Sequence, residues 1–320
     1  MAFAKRPATA VVVAAMAAVV LGAALVCSAS GRRTIRYATT PSSSGAVNPS
    51  AIPLGDGYRS SSPRVGYVDS CIKSFPAIGG AQRVGPWINT KDHTWNSETK
   101  LAVEGSVSWP DASYSVTLDG STRVIKTNDL PDHPTGVFPI SSSDPAYEYD
   151  QNPNRIEAQS IAWSLPADPA AAAQPSCTGG GAIGVLSDGV VLFNALDGEG
   201  RDAGAHEILD RWQGHPDMSD TYHHHEVPAF MIAAAKSRST LVGYAIDGYG
   251  IYVERNAKGQ LLTNSDLDRC HGRTSKVMWN GKLTRIYHYD ATLEYPYTVG
   301  CFHGTPIATG VGMNMGAAQR

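Results

Sequence analysis

Ile183-Gly184-Val185-Leu186-Ser187-Asp188-Gly189-Val190-Val191-Leu192-Phe193 is two short apolar runs hinged on an Asp-Gly pair. That is the sequence form of a tight β-hairpin in which the glycine takes a positive φ. The same form returns as Val242-Gly243-Tyr244-Ala245-Ile246-Asp247-Gly248-Tyr249-Gly250-Ile251-Tyr252. Each hairpin leads to an Asp-Arg loop, Leu209-Asp210-Arg211-Trp212-Gln213-Gly214-His215 and Leu267-Asp268-Arg269-Cys270-His271-Gly272-Arg273. Each loop leads to an aromatic-histidine tetrapeptide, Tyr222-His223-His224-His225 and Tyr287-His288-Tyr289-Asp290. Asp188 and Asp247, Asp210 and Asp268, and His223 and His288 stand 59, 58 and 65 residues apart, so the copies differ mainly by an insertion before the second histidine strand. The pattern predicts an internal duplication, with copies at about 183–228 and 242–303. Two copies make a pseudo-symmetric pair, whereas a solenoid needs about three or more stacked units.

Outward from the repeat, Ala102–Trp109, Tyr114–Leu118 and Arg123–Lys126 carry further β patterns, and Ala167–Pro175 reads as a loop or a short helical turn. Pro228–Arg238 is the one helix of any length that the sequence predicts. With 32 Gly, 20 Pro and repeated turn pairs, the expected architecture is mainly β, an antiparallel sandwich or barrel-like domain with few short helices. Residues 1–30 read as a signal peptide: Lys5 and Arg6, an uncharged stretch from Ala8 to Val26, then Ser28-Ala29-Ser30. The apolar stretch also approaches bilayer-spanning length, so an uncleaved anchor is the alternative. Val26 before Cys27 rules out a lipoprotein site, which needs a small residue there. Residues 31–65 read as a flexible Ser/Pro/Gly-rich spacer, 66–310 as the β domain and 311–320 as a tail.

Eight of the ten histidines lie between His206 and His303. On a strand, His223 and His225 share one face, with Tyr222 and His224 on the other. Neutral imidazoles favour borderline transition metals, copper and zinc among them. His215, His223, His225 and His288 are the candidate ligands of one shared site, to which the second copy brings only His288, because Arg273 stands where the first copy has His215 and cannot ligate. Asp210, Asp247, Asp268, Asp290, Tyr222 and Tyr287 are the candidates for orienting those ligands. The competing explanation for the Asp-Gly carboxylates is turn geometry, and for Asp210 and Asp268 an Asp–Arg pair bracing a loop. Beyond the signal stretch remain Cys71, Cys177, Cys270 and Cys301, an even set suited to disulfides in an oxidising compartment. Cys270 and Cys301 flank the second histidine strand and form the first expected bond; Cys71–Cys177 follows by elimination. Trp212 occupies the first-copy position of Cys270, so that loop must be held by packing.

These stretches carry a family resemblance. Pro131-Asp132-His133-Pro134-Thr135-Gly136, Asn152-Pro153-Asn154-Arg155-Ile156, Gly214-His215-Pro216 with Tyr222-His223-His224-His225, Gly243–Gly248, and Tyr295-Pro296-Tyr297 through Gly300-Cys301-Phe302 resemble, in that order, the YHYH family of secreted proteins. The chain departs from the pattern at His224, which takes the second tyrosine's place, at Asp290, and at Trp212. The resemblance implies a domain and no reaction. A net charge of −3 without a basic stripe argues against nucleic acid. Neither Gly-x-Ser-x-Gly nor His-Glu-x-x-His is present, and Thr178-Gly179-Gly180-Gly181 lacks the Lys of a phosphate loop. What remains is an exported, periplasmic or surface-displayed metal-binding protein, with no membrane contact unless the N-terminal segment is retained. Two alternatives stand beside it: a metal-free protein with a small-molecule or cell-surface ligand, and a hydrolase pairing a histidine base with Asp247 or Asp268.

Overall fold

In the computed structural model, residues 46–75 and 80–312 are described. All of them belong to the compact unit Arg33–Arg320. The expected signal peptide, the spacer as far as residue 45 and residues 313–320 of the tail lie outside the described residues. Among the described residues no helix is long and apolar enough to cross a membrane.

The chain is mainly β, and its centre is one eight-stranded sheet. In chain order its strands are β1 (Ala182–Leu186), β2 (Val191–Phe193), β3 (Gly214–Pro216), β4 (Tyr222–His224), β5 (Ser239–Ala245), β6 (Gly250–Glu254), β7 (Gly272–Trp279) and β8 (Lys282–Asp290). Across the sheet they run β3-β4-β2-β1-β5-β6-β8-β7. Each half contains an antiparallel hairpin, a parallel pairing and an antiparallel edge, and antiparallel β1·β5 joins the halves. The registers agree position by position: His215 faces His223 as Arg273 faces His288, and Leu192 pairs with His224 as Ile251 pairs with Tyr289. The sheet is open, with β3 and β7 at its edges, and mixed, whereas the sequence suggested antiparallel pairing throughout. Parallel neighbours arise because the Asp-Arg loop carries the chain over to the far edge before it returns.

Both Asp-Gly pairs behave as their sequence requires. Gly189 and Gly248 have φ of 92° and 93°, and the preceding carboxylates accept from Val190 N (3.1 Å) and Tyr249 N (3.3 Å). One core packs against the central sheet, around Val185, Leu186, Val191, Ile251 and Tyr289. A three-stranded sheet containing Tyr114–Asp119, Thr122–Thr127 and Ile161–Pro166 supplies Ile125 and Trp163 to it. A second core gathers Ile52, Trp87, Trp95, Leu101, Ile208 and Tyr297.

Several local expectations change. Residues 46–65 include the strands Ile52–Pro53 and Arg59–Ser60 and bury Ile52 and Leu54, so this part of the expected spacer belongs to the packed domain. Ala102–Trp109 forms only isolated bridges, from Val103 to Asp210 and from Val107 to Thr135, with Gly105 at φ 107° interrupting extension. Ala171–Ser176, expected as loop or helical turn, is a strand paired with Phe302–Gly304, an example of tertiary pairing overriding the helix propensity of alanine. The helix expected over Pro228–Arg238 is α2 (Ala229–Ala234); a shorter α1 covers Ala203–His206. Disulfides join Cys71 to Cys177 and Cys270 to Cys301.

Candidate metal centre

β3 and β4 bring His215 and His223 directly opposite one another, and His225 follows two residues beyond His223 on the same face. All three are buried, at 5%, 3% and 3% exposure. His225 Nε2 lies 3.2 Å from His223 Nε2 and 3.3 Å from His215 Nε2. Two outer contacts fix the tautomers. His223 Nδ1 donates to Thr221 O (3.1 Å) and His225 Nδ1 donates to Asn194 O (2.5 Å), because a carbonyl can only accept. Each Nε2 of that neutral pair is therefore a lone pair, and the two lone pairs face each other. Burial holds both imidazoles neutral, lowering them to about 3, with His223 adding to the effect on His225. His215 is pushed well below 6.5, first by burial and then by its two histidine neighbours.

Two buried lone pairs about 3 Å apart repel unless a cation lies between them, and burial disfavours a proton in that role. A tetrahedral metal with nitrogen bonds of about 2.0–2.1 Å holds its ligand atoms about 3.3–3.4 Å apart. The two separations at His225 match that spacing. A cavity of about 350 Å³ opens beside it, bordered also by Asn152, Asn194, Asp150, Asp197 and Glu207. Glu207 Oε2 stands 3.8 Å from His215 Nδ1, and its carboxyl is raised well above 4.5 by burial and by Asp197 and Asp150.

His224 points through the sheet to the opposite face, as strand alternation requires. Its Nδ1 donates to Gln213 O (2.7 Å) and its Nε2 meets Asp188 Oδ2 at 3.2 Å. His133 approaches the same oxygen at 3.7 Å and stacks on Trp212, with ring centroids 5.9 Å apart. Burial opposes protonation of His133, but the Asp188 carboxylate overrides it and raises the imidazole above 6.5. The hydrogen bonds of both histidines hold Asp188 below the usual carboxylate range against the effect of burial. One strand thus serves two clusters, three imidazoles on one face and an aspartate between two histidines on the other, both spaced closely enough to hold a metal.

His288 does not join the trio. It lies on β8, separated from β4 by β2, β1, β5 and β6, five steps of about 4.8 Å or about 24 Å along the sheet. There it groups with Glu254 and Asp290. The single shared site read from the repeat is therefore corrected: the copies join through β1 and β5, which turns their histidine strands away from each other.

The proposed orienting residues serve other ends. Asp210 accepts from Trp212 N (2.8 Å) and Tyr222 Oη (2.9 Å), and Asp268 from Cys270 N (2.9 Å) and Tyr287 Oη (3.1 Å). They brace their loops, as the competing reading holds, but through main-chain and tyrosine donors in place of an arginine. Asp247 accepts from Tyr289 Oη (2.6 Å) and Gly304 N (2.9 Å), and among the described residues no histidine is hydrogen-bonded to Asp247 or Asp268. Sequence reading missed Glu207 and Glu254 entirely and took Asp188 for a turn residue alone. The Asp-Gly signal explains the turn equally well with or without a second role, and no local pattern announces a carboxylate delivered from another element.

No curated protein and no solved structure matches the chain. Residues 162–261, the stretch that holds His215, His223 and His225, match the family described as YHYH protein.

Proposed function

We propose that this protein binds a divalent transition metal, zinc or copper, through His215, His223 and His225. The observation that carries the reading is that His225 Nε2 lies 3.2–3.3 Å from the Nε2 atoms of both His223 and His215 while two of the rings spend their Nδ1 protons on main-chain carbonyls. Such outer-shell contacts set which nitrogen can ligate. Three protein ligands leave a fourth position, and the adjoining cavity gives a water or a small-molecule donor access to it. Glu207, facing His215 from the cavity wall, is placed to exchange a proton with a group bound there. The two disulfides fit an exported protein, in which thiols are oxidised.

The test is elemental analysis and zinc titration of the purified full chain beside H223A/H225A. We expect about one tightly held equivalent in the wild type and none in the double variant, since a ligand set does not survive the loss of two imidazoles. Undiminished uptake in a folded double variant would sink the assignment.

A further inference from the structure

The second half of the sheet contains its own convergent cluster, with different chemistry. We infer that Glu254, His288 and Asp290 form a second cation site, selective for a harder divalent ion such as Mn2+ and independent of the histidine trio. His288 occupies the register position of His223 and treats its own strand identically, Nδ1 donating to the carbonyl two residues back, Ile286 O, at 3.0 Å. Its Nε2 is therefore an acceptor in the neutral ring. It faces Glu254 Oε2 at 3.3 Å and Asp290 Oδ2 at 3.7 Å. Asp290 is fully buried, and neither carboxylate oxygen has a hydrogen-bond partner.

With the ring neutral, three acceptors thus converge in the interior, two of them carboxylates. Arg273 Nε, 3.3 Å from Glu254 Oε2, balances one negative charge. No Lys or Arg makes an ion pair with Asp290 among the described residues; its one such partner is His288 Nε2 at 3.7 Å, a cation only when protonated. An unpaired buried carboxylate is costly, and its remedy is a proton or a cation. A proton on Asp290 is too far from His288, at 3.7 Å, to be donated, and a proton on His288 Nε2 reaches Glu254 at 3.3 Å but still leaves Asp290 without a hydrogen bond. A cation completes the cluster. Bonds of about 2.1–2.3 Å with angles of about 90–120° put donor atoms about 3.0–4.0 Å apart, a range that holds both separations from His288 Nε2. One imidazole with two carboxylates is a harder donor set than three imidazoles and, relative to the trio, shifts preference towards ions of the Mn2+ type. Arg273 lies on edge strand β7 with its side chain 36% exposed, so its displacement opens a route from solvent.

The experiment uses the full chain, stripped with a chelator, given one equivalent of Zn2+ for the trio and then titrated with Mn2+, free Mn2+ being read by its aqua-ion EPR signal. We expect about one further equivalent. D290N keeps the shape and removes the charge, and should weaken Mn2+ binding about 10–100-fold. H223A/H225A should lose Zn2+ and keep Mn2+, which separates failure of this site from failure of the trio. R273Q removes a fixed positive charge and should tighten Mn2+ binding at least about tenfold, a gain that misfolding cannot produce. Absence of Mn2+ uptake by the wild type, unchanged affinity in D290N, or unchanged or weaker affinity in R273Q would each overturn the inference.

Discussion

In β1–β4 the residue facing the first strand histidine is His215, and in β5–β8 it is Arg273. Two positions beyond that histidine the first half has His225 and the second Asp290. Around these exchanges the frame stays constant. Tyr222 holds Asp210 as Tyr287 holds Asp268, and the loops turn through Gln213 and His271 with positive φ of 63° and 69°. Even the contact beneath the sheet is retained in altered form, His224 to Asp188 in one half and Tyr289 to Asp247 in the other. The comparison separates what builds the backbone from what stands on it. Tyrosine, the turn aspartates and glycine recur because the loop-and-strand geometry needs them, whereas imidazole, guanidinium and carboxylate change places because the backbone tolerates each.

The most severe test of that contrast is acid. His223 and His225 are held to about 3 in the fold against 6.5 in a free chain, as is His271 in the second half. Between those values the unfolded chain binds protons that the folded chain refuses, so stability falls as pH drops through about 6.5 and stops falling near 3. At pH 5 linkage gives about 2 kcal/mol per imidazole. Urea denaturation of metal-free protein at pH 7 and pH 5 should therefore show H223Q/H225Q removing about 4 kcal/mol of acid sensitivity and H271Q about half as much. Equal effects of the two variants would refute the asymmetry.

Next in size is the disulfide that only the second half possesses. Cys270 and Cys301 are 31 residues apart, and closing a loop of that length stabilises by about 3–4 kcal/mol through the unfolded chain. C270A/C301A should lose that amount in chemical denaturation while zinc uptake at His215, His223 and His225 persists. If zinc uptake fails with the fold intact, the halves are not independent.

A smaller and sharper effect follows from exchanging one ligand type. H225D gives the first half the carboxylate that the second carries at Asp290, replacing an Nε2 that the His225 ring aims from its anchor on Asn194 O. Zinc affinity should fall about 10–100-fold, and preference for Mn2+ over Zn2+ should rise in competition titrations. Unchanged preference would mean that cavity shape, rather than donor type, decides the metal.

Much of this plan is legible in the sequence alone. The hairpins, both disulfides, the mainly β class and the shared face of His223 and His225 follow from alternation, turn chemistry and cysteine count. What stays hidden depends on strand order. A repeat written twice in sequence says nothing of whether its copies meet edge to edge at their histidine strands or at their hairpins, and that choice alone separates His288 from His225. Glu207 and Glu254 are invisible for a related reason: a carboxylate brought to a site by another element has no spacing to betray it. The spacer is misread because Ile52 and Leu54 are too few to form a pattern, yet both are buried in the second core.

The last comparison is Trp212 against Cys270, the same loop position held in two ways. A fully buried tryptophan would make Trp212→Ala cost about 3–5 kcal/mol. Trp212 is only half-buried, stacked on His133 on one side with the Arg211 guanidinium 4.6 Å from its ring. The loop also keeps the bonds from Trp212 N and Gly214 N to Asp210, which belong to the backbone and survive truncation. The expected loss is therefore about 1–2 kcal/mol, the share of a large aromatic that leaves water together with one stacking contact. Denaturation of Trp212→Ala should give that value, below the cost of C270A/C301A. A loss as large as that of the disulfide variant would mean that the tryptophan, through His133 and Asp188, holds the strand that carries the trio.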